Sequence, residues 1–275
     1  MWDGIALAAH SGSPCRLPCA ALSESENGTG SAKSIGFGIA KRFAGLGANV
    51  AMIDIDPRVE ESARELQEAG LTAKAYVLNI TDRDAVMKTF GTIRADLGPI
   101  FSLTNVAGVV SQNPIEEVTT AEWERMMSVN VYGAFYCIQA ALPDMKAAKY
   151  GKILNFSSKS GKTGSALMVP YSAAKGAVIA MTQAIAYEIA PFNINCNCLC
   201  PGITDATGVW DNVSAGYIKN LAMPREQVVD KFTAKIPLKR LTTIEDVVDF
   251  AEFLTVSGDY CTGQAFNISG GREMH

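Results

Sequence analysis

The stretch that decides the fold is Gly151-Lys-Ile-Leu-Asn-Phe-Ser-Ser158, followed after a short glycine-containing loop by Tyr171-Ser-Ala-Ala-Lys175-Gly-Ala-Val-Ile-Ala180. A short apolar run behind a glycine reads as a buried strand, with Ser157 and Ser158 at its end. Residues 171–188 read as a helix with small residues through its first turns. Tyr171 and Lys175 are four apart, so they share one helix face about one turn from each other. Ser158 stands 13 residues before Tyr171, at the mouth of the strand. A hydroxyl, a phenol and an ammonium can therefore converge on one point.

That trio has a definite chemistry. A phenol with a pKa of about 10 is a poor acid–base group at neutral pH. A nearby ammonium favours phenolate, so Lys175 is expected to lower the pKa of Tyr171. A serine hydroxyl beside them can hydrogen-bond a substrate oxygen, and the set suits proton exchange with an alcohol or carbonyl oxygen. Many helices carry a Tyr and a Lys four apart for structural reasons alone. The spaced serine and the pattern upstream give this pair its weight.

Outward from that stretch, strands alternate with helices. Expected strands are 47–54, 73–78, 100–106, 151–156, 193–199 and 265–268. Expected helices are 35–46, 57–70, 82–97, 120–149 with a break near Gly133, 171–188, 208–235 and 243–256. Alternation of this kind predicts a single-domain α/β fold: a doubly wound, Rossmann-like parallel sheet with helices on both faces. Ligands of such sheets bind beyond the carboxyl ends of the strands. Gly30, Asp54, Asn105, Ser158 and Gly202 all fall on that edge.

Composition narrows the classes. The 275 residues are 48% hydrophobic and 19% charged, as suits a domain with a sizeable core. A formal net charge of −4 argues against a nucleic-acid partner. No apolar run is long enough to span a bilayer, and Asp3 with only a short apolar run makes a poor signal peptide; a cytoplasmic location is expected. Seven cysteines form no disulfide-like framework. Cys196, Cys198 and Cys200 alternate along a strand and are expected to point to opposite faces, a poor metal spacing. His10 and His275 are the only histidines, which disfavours a Ser-His-Asp hydrolase and a His-ligated metal centre.

Thr29-Gly30-Ser-Ala-Lys33-Ser34-Ile35-Gly36-Phe-Gly38 is a glycine-rich turn opening a helix, where backbone N–H groups and the helix dipole can meet a pyrophosphate. Asp54 ends the next strand about 20 residues on, where an acid accepts ribose hydroxyls and repels a 2′-phosphate. That favours NAD over NADP, although Lys33 in the turn points the other way.

From residue 29 to the end, the chain resembles the short-chain dehydrogenase/reductase family. The Ser158–Tyr171–Lys175 spacing carries the resemblance, together with Asn105-Val-Ala107-Gly108, Asn130 within Met-Ser-Val-Asn-Val-Tyr-Gly, Pro201-Gly202 and Tyr260-Cys-Thr-Gly-Gln. The resemblance implies hydride transfer between a nicotinamide and a secondary alcohol or its ketone. Ser158, Tyr171, Lys175 and Asn130 would be catalytic, Asn130 holding a water that relays protons through Lys175. The cofactor would be bound by Gly30, Ser34, Ile35, Gly36, Asp54, Asn79, Ile80, Asn105, Ala107, Gly108, Tyr171, Lys175, Pro201, Gly202, Ile203 and Thr207. Ser34 stands where the family has a glycine, Val106 where it has a second Asn, and Asn79 where it has an adenine-binding Asp.

The segment 210–235 and the C-terminal tail look most similar to sugar-alcohol dehydrogenases of this family, of the sorbitol and sorbitol 6-phosphate types. Ser160, Lys159, Asp205, Asn212 and Lys219 are polar candidates near the pocket, and Lys159 or Lys162 is a candidate basic contact for a phosphate. Steroid, 3-oxoacyl-thioester and diol substrates stay open. The apolar helices near 120–149 and 171–190 suggest a homodimer or homotetramer by the same resemblance.

Residues 1–28 are atypical. Ala21-Leu-Ser-Glu-Ser-Glu-Asn-Gly28 stands where the family has its central buried strand, and burying Glu24 or Glu26 unpaired would cost several kcal/mol. This leaves a rival reading, a catalytically silent structural or interaction protein that keeps the fold of residues 29–275.

Overall fold

The computed structural model of the protein describes residues 35–205 and 225–275. The atypical segment 1–28, the candidate cofactor residues Gly30, Ser34 and Thr207, the candidates Asn212 and Lys219, and much of the expected helix 208–235 lie outside the described residues. The chain runs α1 (Ile35–Gly45), β1 (Val50–Asp54), α2 (Val59–Glu68), β2 (Ala73–Val77), α3 (Arg83–Leu97), β3 (Ser102–Asn105), α4 (Thr120–Met127), α5 (Ala134–Ala148), β4 (Gly151–Phe156), α6 (Lys159–Thr163), α7 (Val169–Ile189), β5 (Ile194–Pro201), α8 (Arg225–Thr233), α9 (Ile244–Val256) and β6 (Ala265–Ile268).

Every strand pairing is parallel. Among the described residues the strands form two pieces, β1–β2 and β3–β4–β5–β6. One hydrophobic cluster joins Ala51 and Ile53 of β1 to Leu103, Ile153 and Cys196 of β3–β5, and to side chains of α3, α5 and α7. A second joins Val50 and Met52 to Leu154, Phe156 and Leu199, and to side chains of α1, α2 and α9. Alternate residues of a strand point to opposite faces, so each piece of sheet contributes to both cores. All five residues of β1 and all six of β4 are buried, as expected for parallel strands covered on both sides.

Local differences from the sequence expectation have physical causes. The catalytic-stretch helix begins at Val169 rather than 171, because Pro170 has a fixed φ and lacks an N–H, and so fits a first turn. β5 continues past Leu199 to Pro201, which pairs with Ile268. The expected break near Gly133 is a π-helical segment, Ser128–Gly133. There the buried Asn130 side chain donates to the carbonyl oxygens of Met126 and Val109, both at 3.0 Å, and so takes an acceptor from the helix's own ladder. A Cβ at Gly133 would come within 2.5 Å of Ile80. At Gly38 a Cβ would lie 2.9 Å from Ile244 and 3.0 Å from Val248, so this glycine allows α1 to approach α9. α9 opens with a capping box in which Thr243 and Asp246 satisfy each other's backbone N–H groups.

Candidate active site

The carboxyl ends of β3, β4 and β5 and the start of α7 enclose the site. α7 is held against β4 by two bonds: the Ser157 hydroxyl donates to the Lys175 carbonyl at 2.7 Å, and the Lys175 ammonium donates to the Phe156 carbonyl at 2.9 Å. A third constraint is Gly161 of α6, where a Cβ would stand 2.6 Å from the Lys175 carbonyl carbon. Deeper in the same face, Asn105 donates to Asn155 at 2.9 Å, Asn155 to Thr182 at 2.9 Å, and Thr182 to the Val178 carbonyl at 2.8 Å. This buried ladder ties β3, β4 and α7 together and thereby sets where Tyr171 and Lys175 stand.

Tyr171 and Lys175 are both buried, and the Lys175 nitrogen lies 5.8 Å from the centre of the Tyr171 ring. The Ser158 side chain contacts the Tyr171 phenol. Ser158 also caps α6, its hydroxyl oxygen accepting from the Ser160 N–H at 3.2 Å. The predicted trio is therefore one constellation. Its electrostatics differ from the expectation. Burial pushes the phenol up to about 12, opposed by the Ser158 contact, and Cys200 adds to the rise. Burial also lowers the Lys175 ammonium to about 8, opposed by Cys198 and Cys200. Within the polypeptide, loss of water is the largest cause of both shifts, and the Lys175 ammonium donates to the Phe156 carbonyl rather than to the phenol.

Asn130 belongs to the same pocket. Its side-chain oxygen is buried and has no hydrogen-bond partner among the described residues. A Cβ at Gly108 would lie 2.6 Å from that oxygen and 3.0 Å from the Lys175 nitrogen. The absence of a side chain at 108 thus keeps open the space between an unmet acceptor and a cation.

Around the trio, Ala107 and Gly108 follow β3 and are half-buried. Pro201 is buried at the end of β5. The Gly202 N–H donates to the Ile268 carbonyl at 2.9 Å, and a Cβ there would meet Ser269 at 3.3 Å. Ile203 packs with Val109, Met168 and Tyr171. Asp54 is buried at the end of β1, accepting from the Asp56 N–H at 2.8 Å. Asn79 is exposed just beyond β2, its oxygen accepting from the Thr81 N–H and hydroxyl. Ile80 is buried against Gly133. Ile35 and Gly36 form the first turn of α1. At the strand ends, the Asp54 carboxylate, the side-chain-free backbone at Gly108 and the buried Lys175 ammonium are groups of the kind a dinucleotide needs.

Lys162 donates to the Ala265 carbonyl at 2.6 Å, whereas Lys159 is half-buried beside Ser158. One expectation is corrected. Cys196, Cys198 and Cys200 share one face of β5, because residues two apart on a strand point the same way. Cys196 lies 3.8 Å from the Asn155 amide and the other two pack against Val178 of α7.

The comparisons place this fold in a family of oxidoreductases acting on CH–OH groups. A family model described as short chain dehydrogenase matches residues 28–217. The chain belongs to that family. It is 34% identical over 248 residues to a sorbitol dehydrogenase of Cereibacter sphaeroides, covering 90% of this chain and 96% of that protein. It is 32% identical over the same length to a galactitol 2-dehydrogenase of Agrobacterium fabrum, with the same coverage. Among solved structures, an NAD+-bound xylitol dehydrogenase superposes with a TM-score of 0.84 at 28% identity, covering 92% of this chain and 98% of that one. A substituted actinorhodin polyketide ketoreductase with NADPH superposes with a TM-score of 0.85 at 27% identity, covering 93% and 97%.

Proposed function

We propose that this protein is an NAD-dependent dehydrogenase that interconverts a secondary alcohol of a polyol or polyol phosphate with its ketone. The observation that carries the reading is the convergence of Ser158, Tyr171 and Lys175 in one buried pocket, with the unmet Asn130 oxygen behind Lys175. Ser158 orients the substrate oxygen. Tyr171 takes the hydroxyl proton in oxidation and returns it in reduction. Lys175 favours the phenolate and binds the nicotinamide ribose, and Asn130 holds the water that reconnects Lys175 to solvent. Oxidised nicotinamide, when bound, supplies the hydride acceptor and a positive charge beside the phenol.

Asp54 supports NAD over NADP, since a carboxylate there accepts ribose hydroxyls and repels a 2′-phosphate. Ile35 and Gly36, with Gly30 and Ser34 ahead of them, would meet the pyrophosphate. Asn79 and Ile80 would flank the adenine, Asn105, Ala107 and Gly108 would line the middle of the cofactor site, and Pro201, Gly202, Ile203 and Thr207 would meet the nicotinamide. The polyol assignment is supported by relatives whose names are sorbitol dehydrogenase and galactitol 2-dehydrogenase. Exposed aromatic side chains on the outer surfaces of the π-helical segment, α5 and α7 (Tyr132, Phe135 and Tyr187) support a homo-oligomer.

The test is an NADH fluorescence titration, run with a panel of polyols and polyol phosphates followed at the NADH absorbance band. Saturable binding, NAD-linked turnover and a loss of about 100- to 10,000-fold in kcat for Tyr171→Phe with NADH binding kept are expected. Neither binding nor turnover would favour the silent structural protein.

A further inference from the structure

Three cations from three separate segments lie close enough for the charges of two to act on the third, with one carboxylate among them. Lys159 directly follows Ser158 at the start of α6, Lys235 lies in the turn after α8, and Arg272 lies in the C-terminal tail. The tail is seated closely on the 236–238 segment. A Cβ at Gly270 would stand 2.7 Å from Ile236 and one at Gly271 3.0 Å from Pro237, while the Leu238 N–H donates to the Gly270 carbonyl at 3.2 Å. The Arg272 guanidinium lies 5.5 Å over the Phe232 ring, and Phe232 packs against the cluster that contains Tyr171. Arg272 is therefore linked through Phe232 to the cluster that holds Tyr171, and Lys159 is one residue from the serine that contacts the phenol.

Their electrostatics are unresolved by the polypeptide. Lys159 is half-buried, and its pKa is lowered first by burial and then by the charges of Arg272 and Lys235, with Glu273 offsetting only in part. Among the described residues the Lys159 and Lys235 ammonium groups make no hydrogen bond or ion pair. The Nη1 of Arg272 is buried with no partner, while its Nε faces Glu273 at 3.3 Å. Lys162, one turn along α6 from Lys159, is by contrast satisfied by a backbone carbonyl. Three positive charges set against the single carboxylate of Glu273 are under-compensated, and an anion between them reverses the sign of the remaining repulsion.

We propose that Lys159, Lys235 and Arg272 form an anion subsite that holds the phosphate of a phosphorylated polyol whose secondary alcohol lies at Ser158 and Tyr171. This deepens the proposed oxidoreductase reading and rests on it. Three cations and Glu273 leave a net charge of about +2, which matches a phosphate monoester of about −1.5 to −2 better than a carboxylate of −1.

The experiment compares kcat/KM for sorbitol 6-phosphate, sorbitol and gluconate with saturating NAD, alongside melting temperature in inorganic phosphate. The phosphate ester is expected to be preferred over sorbitol, and inorganic phosphate to raise the melting temperature. Lys159→Met, and independently Lys235→Met at an exposed position that leaves packing intact, should each cut the phosphate-to-sorbitol ratio about tenfold or more and abolish the melting shift. Lys88→Met, on the exposed side of α3, should change neither. A ratio near one in the unsubstituted protein, or a ratio indifferent to both substitutions, overturns the subsite. A preference for gluconate overturns its assignment to phosphate. If no polyol is oxidised but phosphate still raises the melting temperature and Lys159→Met removes that shift, the subsite stands and the polyol reading falls.

Discussion

The two faces of the sheet are held by different forces. On the face of α3, α5 and α7, apolar packing is crossed by a buried polar ladder from Asn105 through Asn155 to Thr182, and by the bonds that lock Lys175 to β4. On the face of α1, α2 and α9, the contacts are mainly apolar burial and the close approach at Gly38, with Arg42 pairing at the rim and polar bonds at the β4–β5 edge, where Lys152 donates to Asn195 and Asp259 and Asn197 donates to the Cys261 carbonyl. Buried hydrogen bonds are directional, and losing one partner strands the other. Apolar packing fixes volume with far less directional demand. The face that must place three reacting groups to a fraction of an ångström is the one that uses directional bonds within its core, and the opposite face supplies bulk stability. That contrast can be broken by titration, by removing one hydroxyl from each face, and by salt.

The largest effect expected is in pH. Lys175 in the native protein titrates near 8 against an ordinary value of 10.5. Between those values the unfolded chain binds more protons than the native one, so the free energy of unfolding rises with pH across the window. The full window corresponds to about 3 kcal/mol. Tyr171 acts oppositely, because a phenol held near 12 makes stability fall as pH rises above its usual 10. Denaturant unfolding at pH 7.5 to 10, as the difference between the unsubstituted protein and Lys175→Met, should therefore show most of that rise in the unsubstituted protein alone. A flat difference would mean that Lys175 is not desolvated, and the polar face would lose its distinction.

How much of this was legible in the sequence depended on distance along the chain. Tyr171 and Lys175 could be paired because helix geometry alone sets their separation, and β4 could be read because Ile153, Leu154 and Phe156 make a short, mostly apolar run behind a glycine. The ladder was not legible. Asn105, Asn155 and Thr182 meet only through strand register and helix docking across 50 and 27 residues of chain. The role of Gly38 at the end of the glycine-rich stretch was not legible, since the side chains that need its missing Cβ, Ile244 and Val248, lie far along the chain. The direction of the Tyr171 shift was misread for a related reason: charge pairing is visible in spacing, whereas burial emerges only once the layers are assembled. Lys159 and Lys162 were equivalent in sequence, and only the carbonyl of Ala265 tells them apart.

A paired substitution sharpens the contrast at moderate size. Thr182 is buried on the polar face, accepting from Asn155 and donating to Val178. Thr104 is equally buried but on the α9 side, where its hydroxyl has no partner among the described residues. Thr182→Val should cost about 1–3 kcal/mol in chemical denaturation by leaving Asn155 without its acceptor. Thr104→Val should be neutral or stabilising by up to about 1 kcal/mol, because it removes a buried hydroxyl that gains nothing. Equal losses at the two sites would show that both faces depend on hydrogen bonds alike.

The smallest effect lies at the rim of the apolar face. Arg42 of α1 reaches three carboxylates along α9, bonding Asp249 at 2.9 Å and also pairing with Glu245 and Glu252. Two of the three partners, Glu245 and Asp249, are largely in water, and pairs at such an exposed rim contribute about 0–1 kcal/mol each. Coupling among three acids raises that, but salt lowers it, since the screening length falls to about 3 Å at 1 M. Arg42→Met should therefore lower stability by about 1 kcal/mol in dilute buffer, and the loss should shrink severalfold in 1 M NaCl. The Thr182→Val loss should stay unchanged under the same conditions, because a neutral hydrogen bond buried between β4 and α7 is not reached by mobile ions. If salt erodes both alike, the ladder is open to solvent and the difference between the faces is one of degree only.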